Sequence, residues 1–112
     1  MKRGEIWLVN LDPTVGSEIR KTRPAVIVSS DLVGILSLKV IVPLTAWKDR
    51  YSKAPWMVRV DPETQNGLTK PSTADGLQVR SVSQQRLVKR LGMLQDIQIE
   101  AIVDAIRIVL QR

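Results

Sequence analysis

Two apolar runs lying close together in the chain, PAVIVSS at positions 24–30 and LKVIVPLT at 38–45, decide the predicted fold. Both runs are short and rich in β-branched residues, which is typical of buried strands. The second run is almost continuously apolar, so we expect it to lie at the centre of a sheet. Pro24 has no backbone N–H, and we therefore expect it at the start of its strand.

Shorter strand patterns flank these two runs on both sides. EIWLVNL at 5–11 and WMVRVD at 56–61 predict one strand each, and TADGLQVRSV at 73–82 predicts another. SQQRLVKRLGML at 83–94 predicts a brief helical turn followed by a strand, and DLVGIL at 31–36 predicts a further short turn. Strands that follow one another without intervening helices indicate an antiparallel sheet curled into a small β-barrel.

The C-terminal segment predicts one amphipathic helix. Asp96 suits its N-cap or first turn, and Arg107 and Arg112 suit the C-terminal end of the helix dipole. The sequence thus predicts five or six strands followed by one α-helix, in a single domain covering residues 1–112. The apolar residues that share a face of this helix are Ile99, Ile102, Val103, Ile106, Val109 and Leu110.

Composition limits the chemistry that the chain can perform. A length of 112 residues with 44% hydrophobic residues allows one packed domain. The absence of cysteine and histidine excludes disulfides and thiolate catalysis, and it removes the usual general base and the commonest metal ligand. The net charge of +6 favours a polyanionic partner such as nucleic acid, although an ordinary lysine-rich surface has the same composition. No apolar run has the length of a membrane span and no signal peptide pattern is present, so we expect a cytoplasmic protein.

Positive charge is concentrated in two loops beside the central strands. If the strands at 24–30 and 38–45 pair antiparallel, both loops open at the same end of the barrel and form a basic groove. Single-stranded nucleic acid binds such grooves, because cations hold its phosphates and aromatic rings stack its bases. The alternatives are a tryptophan that packs over the open barrel end and cations that form a solvated loop. The candidate RNA-binding residues are Arg20 and Lys21 in the first loop, and Trp47, Lys48, Arg50, Tyr51 and Lys53 in the second.

Arg23 and Thr45 are the candidate catalytic pair. The residue before a proline is restricted to an extended conformation, so the Arg23 guanidinium has a defined direction, and its planar fork suits phosphate oxygens. Thr45 ends its strand, where its hydroxyl either reaches the same space or caps its own backbone. Glu18 is the only carboxylate in the first loop, and it is either a general base with a raised pKa or a rim carboxylate paired with Arg20.

Four segments taken in order, KRGEIWLVNLDPTVGSE, RPAVIVSSD, VIVPLTA and GLQVRSVSQQRL, resemble the MazF/PemK (Kid) family of ribonuclease toxins from bacterial toxin–antitoxin modules. The resemblance covers nearly the whole chain. It implies an SH3-like barrel that forms a homodimer and a metal-independent, cofactor-free endoribonuclease that cuts single-stranded RNA, mainly mRNA, at short motifs. It also implies a cognate MazE-like antitoxin whose acidic segment occupies the RNA groove, with operator DNA bound only through that antitoxin.

The resemblance also assigns roles to individual positions. It implies that the arginine of the RP motif, Arg23, and the threonine at the end of the third strand, Thr45, are catalytic. It implies substrate contacts for Ser17 and Glu18 of the GSE loop. Gln78 and Arg80 of the QVRS segment are further RNA-binding candidates, although Arg80 can equally hold a loop by bonding backbone carbonyls.

The sequence departs from the plasmid-type branch of this family at two places. That branch has a histidine where Ser17 stands, and it has an R-x-D pair where this chain reads Asp75-Gly76-Leu77. The mechanism with Arg and Thr, seen in chromosomal relatives, therefore fits better. Two other functions stay open at this point: a gyrase poison of the CcdB type, which has the same fold, and a catalytically silent RNA-binding barrel.

Overall fold

The computed structural model describes residues 1–33 and 37–111. Within them the chain forms seven strands and one helix: β1 (Glu5–Asn10), β2 (Thr22–Ile27), β3 (Leu38–Ala46), β4 (Met57–Val60), β5 (Ser72–Asp75), β6 (Arg80–Ser83), β7 (Leu87–Met93) and α1 (Asp96–Leu110). Short 3₁₀ turns occupy Asp31–Val33, Asp49–Lys53, Gly76–Gln78 and Gln84–Arg86. The predicted order of consecutive strands followed by a C-terminal helix is confirmed.

The strands form an antiparallel sheet in the order β4-β5-β3-β2-β1-β7, with β6 also paired to β3. β3 is the central strand, because β2 pairs with one of its edges while β6 and then β5 pair along the other. The prediction that the run at 38–45 lies at the centre is therefore confirmed. The antiparallel pairing of β2 with β3 brings the start of β2 next to the end of β3, where the candidate catalytic residues lie.

Two strand predictions were wrong in detail. β2 begins at Thr22, and Pro24 is its third residue, not its first. The ladder with β3 begins only at Ala25, so the missing N–H of Pro24 leaves no gap in it. The stretch 73–82 forms two strands, because Asp75 accepts the Leu77 N–H at 3.0 Å and starts the 3₁₀ turn Gly76–Gln78 between them. The described residues therefore hold seven strands in place of five or six.

The remaining predictions of secondary structure fare better. The turn at Gln84–Arg86 precedes β7 as expected, and α1 covers the predicted helix. Gln95 is the N-cap of α1, so Asp96 lies in the first turn, and Arg107 lies in the last turn. The predictions for positions 34–36 and for Arg112 lie outside the described residues.

The sheet buries an apolar cluster on each of its faces. Val26, Val42 and Leu44 enter a first cluster with the helix residues Ile99 and Ile102, whereas alternate residues of the same strands enter the second. This division explains why both central runs are apolar throughout, since each strand is buried on both faces. Leu110, predicted on the buried face of α1, is exposed. The second cluster consists of Val9, Leu11, Ala25, Ile27, Ile41, Val82 and Leu87.

The first residues of the chain are tied down by the carboxylate of Glu5. It accepts hydrogen bonds from the Lys2 N–H at 2.8 Å, the Trp7 indole at 3.1 Å and the Arg90 Nε at 3.0 Å. Burial alone would raise the pKa of Glu5, but these hydrogen bonds lower it to about 2. No helix in the described part of the chain is long and apolar enough to cross a membrane.

Candidate active site

The register of β2 against β3 brings the predicted catalytic pair together. Ala25 pairs with Pro43, and the same register extended by two residues places Arg23 opposite Thr45. Residues two apart on a strand point to the same face, so both side chains leave the sheet on the face of Pro43. Arg23 and Thr45 accordingly line one cavity of about 230 Å³, which we call the catalytic cavity. The structure thus shows that the Arg23 and Thr45 side chains reach the same cleft, as expected from the sequence.

The catalytic cavity is positively charged. Three of its lining residues, Lys21, Arg23 and Lys70, carry cations, and none of the lining residues is acidic. The half-buried Arg23 donates its Nε to the Arg20 carbonyl at 3.2 Å. Within residues 1–33 and 37–111 nothing bonds the two terminal nitrogens of Arg23, so the guanidinium fork is free to bind an anion. The full lining is Lys21, Thr22, Arg23, Pro24, Leu44, Thr45, Ala46, Lys70 and Ser72.

Lys21 stands in the left-handed region of the backbone. Its φ is +70°, the one positive φ of a residue other than glycine among those described. Its carbonyl accepts the Leu11 N–H at 3.0 Å, which helps to hold this conformation. A non-glycine residue in this region is strained by roughly 1–2 kcal/mol. Such strain is concentrated at functional sites, and here it lies at the entry to the strand that carries Arg23.

A second cavity of about 450 Å³, which we call the loop cavity, holds four of the other predicted residues. Pro43 also lines it, two positions before Thr45 and on the same face of β3, so the two cavities are neighbours on that face. Its walls come from the first loop and from the chain that follows β5. The full lining is Ser17, Glu18, Ile19, Pro43, Leu77, Gln78, Val79 and Arg80.

Glu18 is placed in the loop cavity and not in the catalytic cavity. Its Oε1 accepts the Val15 N–H at 2.7 Å and so closes a turn of its own loop. It forms no ion pair with Arg20, so the expected rim salt bridge between them is wrong. Arg20 is exposed and lines neither cavity. A role for Glu18 as the general base stays a prediction.

Gln78 and Arg80 bond the backbone of the neighbouring chain segments. The Gln78 Oε1 accepts the Ile19 N–H, and its Nε2 donates to the Ser17 carbonyl at 3.2 Å. The Arg80 Nη1 donates to the Leu11 carbonyl at 3.1 Å, which is the structural alternative considered for it. Both side chains also line the loop cavity, so contacts with RNA stay a prediction for each.

The second basic loop is an aromatic and cationic cluster beside the catalytic cavity. Trp47 and Tyr51 are half-buried and meet edge to face with 6.1 Å between their ring centroids. Arg59 lies over the Trp47 ring at 5.1 Å, and Arg50 lies over Tyr51 at 5.4 Å. The Trp47 Nε1 is buried with no acceptor among the described residues. None of the predicted residues Trp47, Lys48, Arg50, Tyr51 and Lys53 lines either cavity, so their contact with RNA stays a prediction.

Sequence reasoning missed three residues of this region. Lys70 and Ser72 line the catalytic cavity because β5 pairs with β3 and sets Ser72 beside Ala46. Arg59 covers Trp47 from β4 and is held by Asp61 at 2.9 Å. The pairing of β5 with β3 places Lys70 and Ser72, and the further pairing of β4 with β5 places Arg59, so no local pattern in the sequence indicates them. Within the described ranges, no group of three or more acidic residues is placed to hold a metal ion.

The fold and the site define a class of protein. A seven-stranded antiparallel sheet followed by one C-terminal helix carries a cationic cleft between the start of β2 and the end of β3, as the resemblance to the SH3-like toxin barrels implies. Residues 2–110 match the family described as PemK-like, MazF-like toxin of type II toxin-antitoxin system, and the chain belongs to that family.

Individual relatives agree with this assignment. The chain is 32% identical to the endoribonuclease MazF9 of Mycobacterium tuberculosis, over 96% of this chain and 94% of that protein. It is 28% identical to the endoribonuclease EndoA of Bacillus subtilis, over 96% and 92%. Its fold is similar to that of MazF from Deinococcus radiodurans, with a TM-score of 0.81 at 20% identity over 98% of this chain and 96% of that one. A mycobacterial endoribonuclease solved with its cognate antitoxin gives a TM-score of 0.76 at 19% identity, over 98% and 94%.

Proposed function

We propose that this chain is an endoribonuclease toxin that cleaves single-stranded RNA, mainly mRNA, at a short sequence motif without a metal or cofactor. The observation that carries the proposal is the catalytic cavity, which Arg23 and Thr45 both line and which holds three cationic side chains, Arg23 included, and no carboxylate. A phosphodiester is the anion that suits such a lining. The similarity to proteins named endoribonucleases supports the same substrate class.

The reaction uses the nucleophile that RNA itself carries. The ribose 2′-oxygen attacks the adjacent phosphorus in line, the bond to the 5′-oxygen breaks, and the products are a 2′,3′-cyclic phosphate and a 5′-hydroxyl. Arg23 binds the non-bridging oxygens and stabilises the charge that develops on them. Thr45 donates a hydrogen bond to the same phosphate or orients the 2′-hydroxyl.

Two proton transfers complete this reaction. The 2′-hydroxyl loses a proton, and the departing 5′-oxygen gains one. Arg23 stays protonated in proteins and is therefore no base. Lys21 and Lys70 line the same cavity and can protonate the 5′-oxygen. The proton of the 2′-hydroxyl passes to water, or to Glu18 where the ribose extends towards the loop cavity.

The same family membership leads us to propose the partners. The toxin acts as a homodimer in the cytoplasm, and an acidic segment of a cognate antitoxin neutralises it by occupying the cationic cavity. The complex of a mycobacterial relative with its cognate antitoxin supports this arrangement. Operator DNA is bound only through the antitoxin.

Incubation of the purified protein with a long single-stranded RNA tests the proposal. We expect cleavage that added EDTA does not change, and 5′-end sequencing of the products reveals the motif. A substrate with one 2′-deoxy ribose at the scissile step should resist cleavage, and its hydrolysis would show that water is the nucleophile. Retention of RNA without cleavage would instead indicate a silent RNA-binding barrel, and inhibition of gyrase without RNA binding would indicate a gyrase poison.

A further inference from the structure

Gln78 ends a 3₁₀ turn that hydrogen bonds and close packing hold in place. The 3₁₀ turn Gly76–Gln78 begins at Asp75, whose side chain accepts the Leu77 N–H at 3.0 Å. Gly76 donates its N–H to the Trp56 carbonyl at 2.9 Å. A Cβ at Gly76 would lie 3.0 Å from that carbonyl and 3.3 Å from the Ala105 Cβ, so the turn is packed tightly against α1. The base of the Gln78 side chain is therefore fixed by strand, turn and helix together.

The amide group of Gln78 bridges two residues of the first loop, which lie 59 and 61 positions away in the sequence. Its Oε1 accepts the Ile19 N–H, and its Nε2 donates to the Ser17 carbonyl at 3.2 Å. One side chain thus satisfies a backbone donor and a backbone acceptor on either side of Glu18. An amide offers a donor and an acceptor on separate atoms at the same end of the side chain.

The bridged segment leads directly to the catalytic cavity. Ile19 packs against the second apolar cluster, and Lys21 is tied to Leu11 by its carbonyl. The first loop is therefore held at positions 17, 19 and 21, directly before the strand β2 on which Arg23 lies. Ser17 and Glu18 are exposed, and the Gln78 amide links this part of the loop to the chain after β5.

We propose that Gln78 is a positioning residue, which orders the loop at Ser17 and Ile19 so that the loop cavity exists before RNA binds. This inference rests on the proposed ribonuclease function. Gln78 acts through the loop, because both ends of its amide are bonded to loop backbone. The side chain also donates a hydrogen bond to the carboxyl of Asp75, which starts the same turn. An ordered loop binds RNA without a further loss of conformational entropy, so the effect falls on substrate affinity and not on the chemical step.

Two substitutions separate the hydrogen bonds from the packing of this side chain. Gln78→Met keeps length and apolar contact but removes both polar ends, and Gln78→Glu keeps the acceptor but replaces the donor with a second acceptor. At about pH 8 we expect each to raise KM about tenfold, as the loss of one or two well-formed hydrogen bonds does, with kcat within about threefold. Gln85→Met is the matched control. Gln85 lies exposed in a similar 3₁₀ turn, and among the described residues it forms no hydrogen bond to the first loop.

Acid should rescue the Gln78→Glu variant alone. A protonated carboxyl presents one O–H donor and one carbonyl acceptor, so it reproduces the pattern of the amide. The groups that face it are the carboxylates of Asp75 and Glu18, which favour protonation, and the guanidinium of Arg80, which opposes it. We compare the ratio of the variant's KM to that of the unsubstituted protein at each pH. This ratio should return towards one for Gln78→Glu as pH falls, whereas the ratio for Gln78→Met should not change with pH. Leu77→Glu, which adds the same charge at an exposed position of the same cavity, controls for repulsion of RNA.

Hydrogen exchange of the Ile19 amide measures the loop without RNA. We expect its protection factor to fall in both Gln78 variants and to recover in acid only for Gln78→Glu. Unchanged protection would overturn the proposal, as would lost protection with an unchanged KM, or a kcat that falls while KM does not. If the unsubstituted protein cleaves no RNA, the ribonuclease function fails, whereas the exchange experiment still decides whether Gln78 holds the loop.

Discussion

The two neighbouring cavities are built in different ways. Arg23 and Thr45 stand on paired strands, and the register of the ladder sets the distance between them. Ser17, Glu18 and Gln78 stand on a loop and a 3₁₀ turn, which side-chain hydrogen bonds hold together. Groups that act on a reacting phosphate must be placed within about 0.5 Å, which strands provide. A loop held by a few bonds can change its sequence while the sheet stays the same, which suits the recognition of different RNA motifs.

Removal of the Arg23 guanidinium should give the largest effect and is the strongest test of the catalytic cavity. We expect Arg23→Ala to lower kcat by about 10²–10³-fold, because the group that stabilises the developing charge is lost. The kcat of Arg23→Lys should lie between those of Arg23→Ala and the unsubstituted protein, since lysine keeps the charge without the planar fork. The control is Arg107→Ala, on the exposed surface of α1. Single-turnover cleavage of a mapped substrate measures the loss, and full activity of Arg23→Ala would remove this residue from the mechanism.

Thr45 should give the next largest effect, again on the rate. Thr45→Val has nearly the same shape without the hydroxyl, and we expect it to lower kcat about 10–100-fold with little change in KM. Thr45→Ser restores the hydroxyl and should recover much of the rate. Kinetics at several RNA concentrations separate the two constants. An effect on KM alone would make Thr45 a binding residue and would weaken the contrast between the cavities.

Substitution of Glu18 tests whether a residue of the loop cavity affects the rate less than Arg23 does. The amide oxygen in Glu18→Gln can still accept the Val15 N–H, so the turn of the loop should persist. We expect a loss of activity of only about twofold to fivefold, as for a group that contacts substrate without exchanging a proton. A rate as low as that of Arg23→Ala, measured under the same single-turnover conditions, would identify Glu18 as the general base.

The sequence predicts the proximity of Arg23 and Thr45 better than it predicts the lining of the cavities. Arg23 and Thr45 stand where a proline and the end of an apolar run mark the ends of adjacent strands, and antiparallel pairing then brings them together. Lys70 reaches the same cavity only through the pairing of β5 with β3, and no local pattern at that position indicates it. The split of 73–82 into two strands depends in the same way on the Asp75 side chain. Local propensity and periodicity locate elements, whereas contacts between distant segments decide what lies beside them.

The smallest expected effect concerns Asp75, which starts the turn that carries Gln78. Burial raises the pKa of this carboxyl, although hydrogen bonds from Leu77 and Gln78 act in the opposite direction. The folded protein therefore binds this proton more tightly than the unfolded chain, and its stability falls as pH rises from the ordinary value of 3.8 through the raised one. Asp75→Asn cannot titrate, so the difference in unfolding free energy between the two proteins should change only within that acidic window.

Urea denaturation of both proteins from about pH 3 to about pH 7 measures this difference. We expect the unfolding free energy of the unsubstituted protein to increase relative to that of Asp75→Asn as the pH falls. Thr45→Val provides the contrast, because no carboxylate lines the catalytic cavity and its stability difference should stay flat over the same range. A difference for Asp75→Asn that is also flat would mean that the hydrogen bonds to this carboxylate offset its burial, and a change in the opposite direction would mean that they outweigh it. The turn that carries Gln78 would then be held by Asp75 in its ionised form. In that case only the KM values of the Gln78 variants would still distinguish how the two cavities are built.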